Sequence, residues 1–373
     1  MVRQKMTQRE IAKINRMLIL NSIREKGVAT KYDISSTLKL SHTTVNTYVA
    51  QLMQEGLVKE AGYGASIGGR RPVMVEIAKT AGYFFGVVLA PHRVTLTLVN
   101  LIGEELARRN VPYGIGEPFP GILDQLDNMM ERMLDQEKIS RKHVRGVGMV
   151  FPGVVDHEEL YVEYAPNIGV RDFSLKDFEK KLGMKLYIEN EAIAGLLAEQ
   201  FAGDVDPGQN VVYVSVAEGI GAAVWINHEI YRSNNGRAGE FGHVNVDPDG
   251  LQCKCGRKGC WELYASKDAF ERYQKEYGES SQKALEIYTE YLFKGLESIL
   301  LAVSPDEILI GGEPVDVLRQ AVDLGVERLR CNKKFYGYEK TPIRATSLSE
   351  NPVYMGSYLV PFARTYRVKQ FGI

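Results

Sequence analysis

Residues 238–262 read Ala-Gly-Glu-Phe-Gly-His-Val-Asn-Val-Asp-Pro-Asp-Gly-Leu-Gln-Cys-Lys-Cys-Gly-Arg-Lys-Gly-Cys-Trp-Glu. Three of the four cysteines of the chain, Cys253, Cys255 and Cys260, crowd into this stretch, and Gly256 and Gly259 let the backbone between them fold into a tight loop. In a compartment that keeps thiols reduced, such crowding points to a metal rather than to a disulfide framework. Three thiolates need one more donor to close a tetrahedron around Zn²⁺, and His243 is the nearest imidazole upstream. No coordination position is left for a reacting group, so the expected ion is structural. The competing reading, three free buried cysteines, leaves the crowding without a reason.

The rest of the composition is ordinary for a folded protein. Of 373 residues, 45% are hydrophobic and 25% charged, which excludes a long disordered chain. At roughly 150 residues per domain, two or three domains are expected. No apolar run approaches the roughly 18–20 residues that cross a bilayer. The start, Met1-Val-Arg-Gln-Lys, lacks the apolar core of a signal peptide, so a reduced, cytoplasmic protein without a membrane partner is expected. The net charge of -1 conceals an imbalance: residues 1–75 hold 12 Lys and Arg against 5 Asp and Glu. A basic front on an acidic body fits one part that meets a polyanion and another that does not.

That basic front has a legible plan. Ile11, Ile14, Leu18, Ile19 and Ile23 recur at helical spacing, and Lys26-Gly27 closes the helix. Thr30 is placed to cap a second helix containing Ile34 and Leu38; Ser41 is placed to cap a third, through Val45, Val49, Leu52 and Met53. A strand at Leu57–Glu60, a Gly-rich tip and a return strand at Val73–Ile77 complete a winged helix-turn-helix over residues 1–78. Ser41, His42, Thr43, Thr44, Asn46 and Thr47 then line the polar face of the third helix as DNA contacts. Arg70 and Arg71, in Gly69-Arg70-Arg71-Pro72, sit at the wing tip, suited to a narrow minor groove. The bland alternative is a basic protein-interaction module. One unit offers little interface, so double-stranded operator DNA would be held by a homodimer or tetramer on paired half-sites.

From Tyr83 the pattern becomes mixed α/β. Strand-like runs at Tyr83–Leu89, Val94–Val99, Leu106–Val111, Val144–Val150 and Leu186–Ile188 surround a helix at Gly121–Leu134. A helix at Glu191–Phe201 follows, and then a similar order: Val211–Val216, Ala222–Ile226, long helices, a strand at Ile308–Ile310, and a last helix at Val353–Arg364. Val147–Gly153 and Ile308–Pro314 look like equivalent strand ends. Two lobes are expected, 79–190 and 191–352, with helix 353–365 returning to the first and a ligand cleft between them.

These residues resemble a known family. Ala238-Gly-Glu-Phe-Gly-His243 followed by Cys253-x-Cys255-Gly-x-x-Gly259-Cys260-Trp261-Glu262 is similar to the two signatures of the ROK family of repressors, open reading frames and kinases. Asn15 to Ile77, with its Gly-Gly-Arg-Arg-Pro wing, resembles the DNA-binding arm carried by the family's regulators. The resemblance implies a winged helix-turn-helix followed by a two-lobed, actin-like (RNase H-like) sugar-kinase fold, with a sugar held between the lobes. It implies that Glu240 and Glu262 accept hydrogen bonds from sugar hydroxyls, and that His243 both ligates zinc and neighbours the sugar. Asn190 matches the asparagine of the family's Asn-Asp-Ala segment. Asn167, in Ala165-Pro166-Asn167, matches its Pro-Asn turn; both are implied sugar contacts.

The departures from the family's kinases bear on chemistry. Their first phosphate loop, Asp-x-Gly-Gly-Thr, is replaced by Val88-Leu-Ala-Pro91-His92, which has no carboxylate and loses a backbone donor at Pro91. The second, Gly-Thr-Gly-x-Gly, reads Ala217-Glu218-Gly219-Ile220-Gly221, with a negative charge where a polyphosphate would lie. Glu191 stands at the catalytic aspartate's position, counted among the sugar contacts and one methylene longer. Gly311-Gly312 persists, followed by Glu313-Pro314. Phosphoryl transfer depends on positioning and charge neutralisation, so no catalytic residue and no bound ATP are expected. The expectation is a sugar-responsive transcriptional repressor. The alternatives are a sugar kinase carrying a DNA-binding arm, and a scaffold whose arm holds another protein.

Overall fold

A computed structural model of the chain describes residues 8–64, 71–114, 116–202, 205–206, 208–233, 236–279, 281–331 and 340–366. Helix α1 (Gln8–Lys26) leads to strand β1 (Val28–Thr30), helix α2 (Lys31–Leu38) and helix α3 (His42–Gln54). Local side chains start both later helices. Thr30 Oγ1 accepts from the Asp33 N–H at 3.1 Å while Asp33 accepts from the Thr30 N–H at 2.9 Å, a reciprocal capping box. Ser41 Oγ accepts from the Thr44 N–H at 3.1 Å. Ile19, Ile23, Ile34, Val45, Val49 and Leu52 are fully buried where the three helices meet. Strands β2 (Val58–Tyr63) and β3 (Val73–Ile77) form the wing, and β1 pairs with the other edge of β3, giving the order β1-β3-β2. The ribbon therefore has three strands rather than the expected two. The wing tip at 65–70, with Arg70, lies outside the described residues; Arg71 beside it is exposed.

Two five-stranded sheets with one plan follow. The first begins with β4 (Tyr83–Ala90), β5 (Arg93–Asn100) and β6 (Glu105–Pro112), an antiparallel meander. After α4 (Phe119–Gln136), β7 (Val144–Phe151) lies parallel to β4. A small antiparallel sheet of β8 (Val154–Asp156), β9 (Tyr161–Ala165) and β10 (Val170–Ser174) precedes α5 (Lys176–Leu182), and β11 (Leu186–Asn190) lies parallel to β7. Helix α6 (Glu191–Ala202) leads to the second meander, β12 (Val211–Val216), β13 (Ile220–Ile226) and β14 (Glu229–Ile230). Next come α7 (Glu262–Ala265), α8 (Lys267–Tyr277), α9 (Gln282–Val303), β15 (Glu307–Gly312), α10 (Val315–Cys331) and β16 (Ile343–Ala345), both strands parallel to β12. The orders are β11-β7-β4-β5-β6 and β14-β13-β12-β15-β16. Strands β7 and β15 occupy the same place in the two sheets, which accounts for the likeness of Val147–Gly153 to Ile308–Pro314. β4 and β12 are apolar nearly throughout because helices or other layers cover both faces.

The last helix, α11 (Pro352–Tyr366), packs on β4 and β7 and lies along α6, so these two helices fill the space between the sheets. Their closeness depends on a missing side chain: a Cβ on Gly356 would overlap the carbonyl of Ala194 in α6. The apolar core of the DNA-binding unit is continuous with the one around α6 and α11. Among the described residues, no helix is long and apolar enough to cross a membrane.

Candidate functional site

The cysteine loop is pinned by its own backbone. The Val246 N–H donates to Gly259 O, the Trp261 N–H to Val244 O and the Gly259 N–H to Leu251 O, each at 2.8 Å, tying the His243 segment to the cysteine segment. Gly259 has φ +71, and a side chain there would overlap the Asp247 carbonyl, so this turn requires glycine. Trp261 is fully buried and its indole N–H donates to Tyr291 O at 2.9 Å. One ring nitrogen of His243 and the sulfurs of Cys253, Cys255 and Cys260 lie within 4.8 Å of one another. Two sulfurs about 2.3 Å from a tetrahedral ion sit about 3.8 Å apart. Cys255 and Cys260 sulfurs are 3.5 Å apart, and Cys253 Sγ is 3.8 Å from His243 Nδ1, so spacing and donor chemistry both fit a metal of the zinc type. Burial pushes the Cys253 and Cys260 thiols up; at Cys255 burial is outweighed by hydrogen bonds from Arg257 and the neighbouring thiols, which bring it to about 7.

Carboxylates stand on either side of this loop. Glu262 opens α7 directly after Cys260-Trp261, with Oε1 3.1 Å from Cys253 Sγ and 3.4 Å from His243 Nδ1. His243 Nε2 faces Glu240 Oε2 at 3.8 Å, so the imidazole connects the thiols to a second acid. A partner on one ring nitrogen fixes what the other can do, which is how a metal loop orients a nearby site. Glu262 and Asn167 converge on the β12–β13 turn: a Cβ at Gly219 would have Glu262 Oε2 at 3.3 Å and Asn167 Nδ2 at 3.5 Å. Glu191 Oε1 comes within 3.9 Å of the Cβ position at Gly221. Burial, then Glu218, Glu240 and Glu313, push the Glu191 carboxyl up to about 8; burial and Glu262 push Glu240 up against the opposing pull of His243. Asn167, Glu191, Glu240, His243 and Glu262 therefore gather around one glycine turn, with acceptors and a protonatable donor suited to adjacent hydroxyls. Asn190 differs. Its Oδ1 accepts from the Ala192 N–H at 2.8 Å and its Nδ2 donates to Gly153 O at 2.9 Å, so it chiefly caps α6 and leaves one amide hydrogen for a ligand.

A cluster of charged groups stands next to this turn. Pro91-His92 forms a two-residue hairpin between β4 and β5, and the Tyr113 hydroxyl donates to Ala90 O at 2.7 Å. Glu218 and Glu313 both face Lys267 Nζ, at 3.8 and 3.6 Å. Glu313 also accepts from the Tyr354 hydroxyl at 2.9 Å and lies 4.0 Å from Arg93 of β5, so the cluster bridges the two sheets. Lys267, Tyr354 and Arg93 carry no motif in the sequence and emerge only once the sheets are paired.

A cavity of about 350 Å³ lies beside the turn, with Asp156, His157, Glu163, Asn190 and Arg232 on its wall. Its floor is Glu189, 1% exposed at the side chain, which accepts a bidentate pair from Arg232 at 2.5 and 3.2 Å. Arg364 of α11 stands 3.8 Å from the same carboxylate. Arginine proximity holds Glu189 below the usual carboxylate range although burial opposes it.

On the DNA-binding unit, His42, Thr43, Asn46 and Thr47 are exposed on α3 and Thr44 is half-buried. Ser41 is exposed, but its hydroxyl serves the cap and Thr44. Thr47 Oγ1 donates to Thr43 O at 3.0 Å, leaving its lone pairs outward. Tyr32 was not singled out from sequence; it is 68% exposed with its ring 6.3 Å from that of His42, extending the same face onto α2.

Known proteins are similar to this chain. Residues 84–350 match the ROK family, and residues 13–59 match a winged helix-turn-helix DNA-binding family. The xylose repressor of Bacillus spizizenii is 34% identical over 318 residues, with 80% of this chain and 82% of that one covered. The chain spans 65% of the length of the Caldicellulosiruptor bescii xylose repressor, at 32% identity. The solved structure of a ROK family transcriptional regulator, a homolog of the E. coli MLC protein, superposes with a TM-score of 0.72 at 21% identity, covering 97% of this chain and 99% of that one. A ROK family glucokinase from Streptomyces griseus, solved with glucose and AMPPNP, gives 0.64 at 24% identity, covering 74% and 98%. At those identities both structures speak for the fold alone. The chain belongs to the ROK family and carries a winged helix-turn-helix ahead of the family's two-lobed body.

Proposed function

We propose that this protein is a transcriptional repressor whose grip on operator DNA changes when a sugar occupies the site around Gly219. One asymmetry supports the reading: carboxylates and an amide suited to hydroxyls converge on that turn, while the two loops that correspond to the kinases' phosphate loops carry Glu218 and Glu313, both facing Lys267, with Glu313 also near Arg93. Residues 1–78 are the DNA-binding domain, 79–190 with the returning helix 353–365 the first lobe, and 191–352 the second. Ser41–Thr47 of α3 and the Arg70-Arg71 wing face the operator, in a cytoplasmic homodimer or tetramer that matches paired half-sites. Asn167, Asn190, Glu191, Glu240, His243 and Glu262 hold the sugar. His243, Cys253, Cys255 and Cys260 would hold Zn²⁺, whose contribution is to fix the loop bearing His243 and Glu262. Relatives named xylose repressors make D-xylose the first effector to test.

A sugar shifts DNA affinity only by favouring one arrangement of the two arms over another. With a coupling of about 1–3 kcal/mol, saturation changes operator affinity by roughly 5–150-fold. The test combines fluorescence anisotropy on a duplex selected by the protein from a random pool with a panel of D-xylose, D-glucose and N-acetylglucosamine. A change of that size with one sugar, and no ATP consumption with any, is expected. The kinase alternative has one observation in its favour: Glu191 keeps a carboxyl whose affinity for protons, raised to about 8, suits a general base near neutrality. Sugar-dependent ATP turnover at about 1–100 s⁻¹ overturns the repressor reading in its favour.

A further inference from the structure

Arg24 stands in the last turn of α1, yet its guanidinium enters the body of the protein. The guanidinium carbon lies 4.0 Å from the centre of the Phe201 ring and 5.5 Å from that of Phe362. Phe84 packs edge-on against Phe362 at 5.8 Å, and Leu101 and Tyr358 complete a closely packed apolar cup. The Arg24 side chain is only 10% exposed; its Nε has no hydrogen-bond partner among the described residues, and the carboxylate of Glu25 stands 3.9 Å from Nη2. A cation placed this way gives up hydration that the ring faces replace only in part, so its seat depends on where the two rings lie.

Those rings belong to the two helices between the sheets. Phe201 lies in the last turn of α6 and Phe362 on α11. The other end of α6 begins at Glu191, in the site around Gly219-Gly221, and Asn190 caps it there. The helix between is apolar and buried at Ala192, Ala194, Leu196, Leu197 and Ala198, a rod of about 18 Å at 1.5 Å per residue. One rigid element therefore touches the candidate sugar site at its start and the DNA-binding unit at its finish.

We propose that Arg24 is the positioning residue that couples the two: a shift of α6 at its Glu191 end moves Phe201 against Phe362, changes the cup, and so re-aims the DNA-binding unit. The proposal rests on the sugar-responsive reading above. The experiment uses the full chain, Arg24→Met and Phe201→Leu variants, a duplex selected from a random pool, and D-xylose with the other panel sugars. Anisotropy gives DNA affinity with and without sugar; calorimetry gives sugar affinity. The wild type is expected to show the roughly 5–150-fold ratio. Each variant is expected to keep its sugar affinity within about twofold and to lose the ratio, with the double variant losing no more than either single one, as members of one contact do. Variants that respond as fully as the wild type overturn the coupling and leave the repressor reading in place. Variants whose DNA affinity collapses equally with and without sugar, their ratio intact, reveal a structural staple and also overturn it. A wild type that ignores every sugar sinks the functional reading, and the coupling with it.

Discussion

Glu191 is a buried carboxyl with Glu218, Glu240 and Glu313 around it, and burial first, then those charges, raise its affinity for protons from the usual 4.5 to about 8. Between those values the unfolded chain has released a proton that the folded chain still holds, so stability falls as pH rises through the window. Glu191→Gln removes both the repulsion and the titration. Its thermal denaturation profile between pH 5 and pH 8 is expected to flatten, with a gain on the order of 1–3 kcal/mol at pH 8 and little change at pH 5. A variant with the wild-type slope would show that the four acids are relieved by solvent instead. Glu240 and Glu262 stood out in the sequence because they adjoin the closely spaced cysteines, and Glu191 because it follows Asn190 in a segment that resembles the family's Asn-Asp-Ala. Glu189 was not: a carboxylate ending an apolar strand announces nothing until Arg232, 43 positions away, arrives against it. The charged cluster of Glu218, Glu313, Lys267 and Arg93 was half-legible in the same way. Glu218 stands out against the family's Gly-Thr-Gly-x-Gly pattern and Glu313 directly follows Gly311-Gly312, whereas Lys267 and Arg93 become partners only through the pairing of strands and helices.

Elements with enough residues to show a period were readable, and the shorter ones were not. The helices α1, α3, α4 and α9, and the strands β4, β7 and β12, carry long apolar faces or runs, and α1 and α3 have an end close to a glycine or cap already visible in the chain. β1 and β16 have three residues each, too few for alternation to declare itself, and β8, β9 and β10 are strands of 3, 5 and 5 residues, likewise short. The same limit hid the tight contact of α11 with α6. Gly356 reads as a helix-weakening glycine from propensity alone, yet it is the point at which one helix backbone meets another. Gly356→Ala should raise helix propensity and nevertheless destabilise the protein by about 1–3 kcal/mol, because the added methyl overlaps the Ala194 carbonyl and must push the helices apart. Chemical denaturation measures the balance; a stabilised variant would show that the α6–α11 spacing has slack, and a loosely held α6 would make a poor lever.

The three-part division of labour is best tested by removing what holds one part together. The core of the DNA-binding unit runs on into the one around α6 and α11, and the outer layers of the two sheets have cores of their own, whereas the loop from His243 to Glu262 contains few buried apolar residues besides Trp261. Its order would come from four metal ligands and the glycine turns between them, and metal binding of this kind is folding free energy supplied locally. Chelation should therefore loosen Glu262 and His243 while leaving helix and sheet content intact by circular dichroism. DNA binding without sugar should change by less than about threefold. The sugar response should fail: a ligand at 100 times its dissociation constant adds about 2.7 kcal/mol to the folded state, and the thermal shift from that gain is expected to vanish in the metal-free protein and return when Zn²⁺ is restored. Metal analysis on the same samples is expected to give one ion per chain. If the chelated protein keeps its full sugar-induced shift, the metal loop does not support the sugar site, and the 3.4 Å approach of Glu262 to His243 is packing without consequence for the ligand. If DNA affinity collapses on chelation even without sugar, the loop also steadies the arms, and the line between sensing and DNA-holding parts must be redrawn to include it.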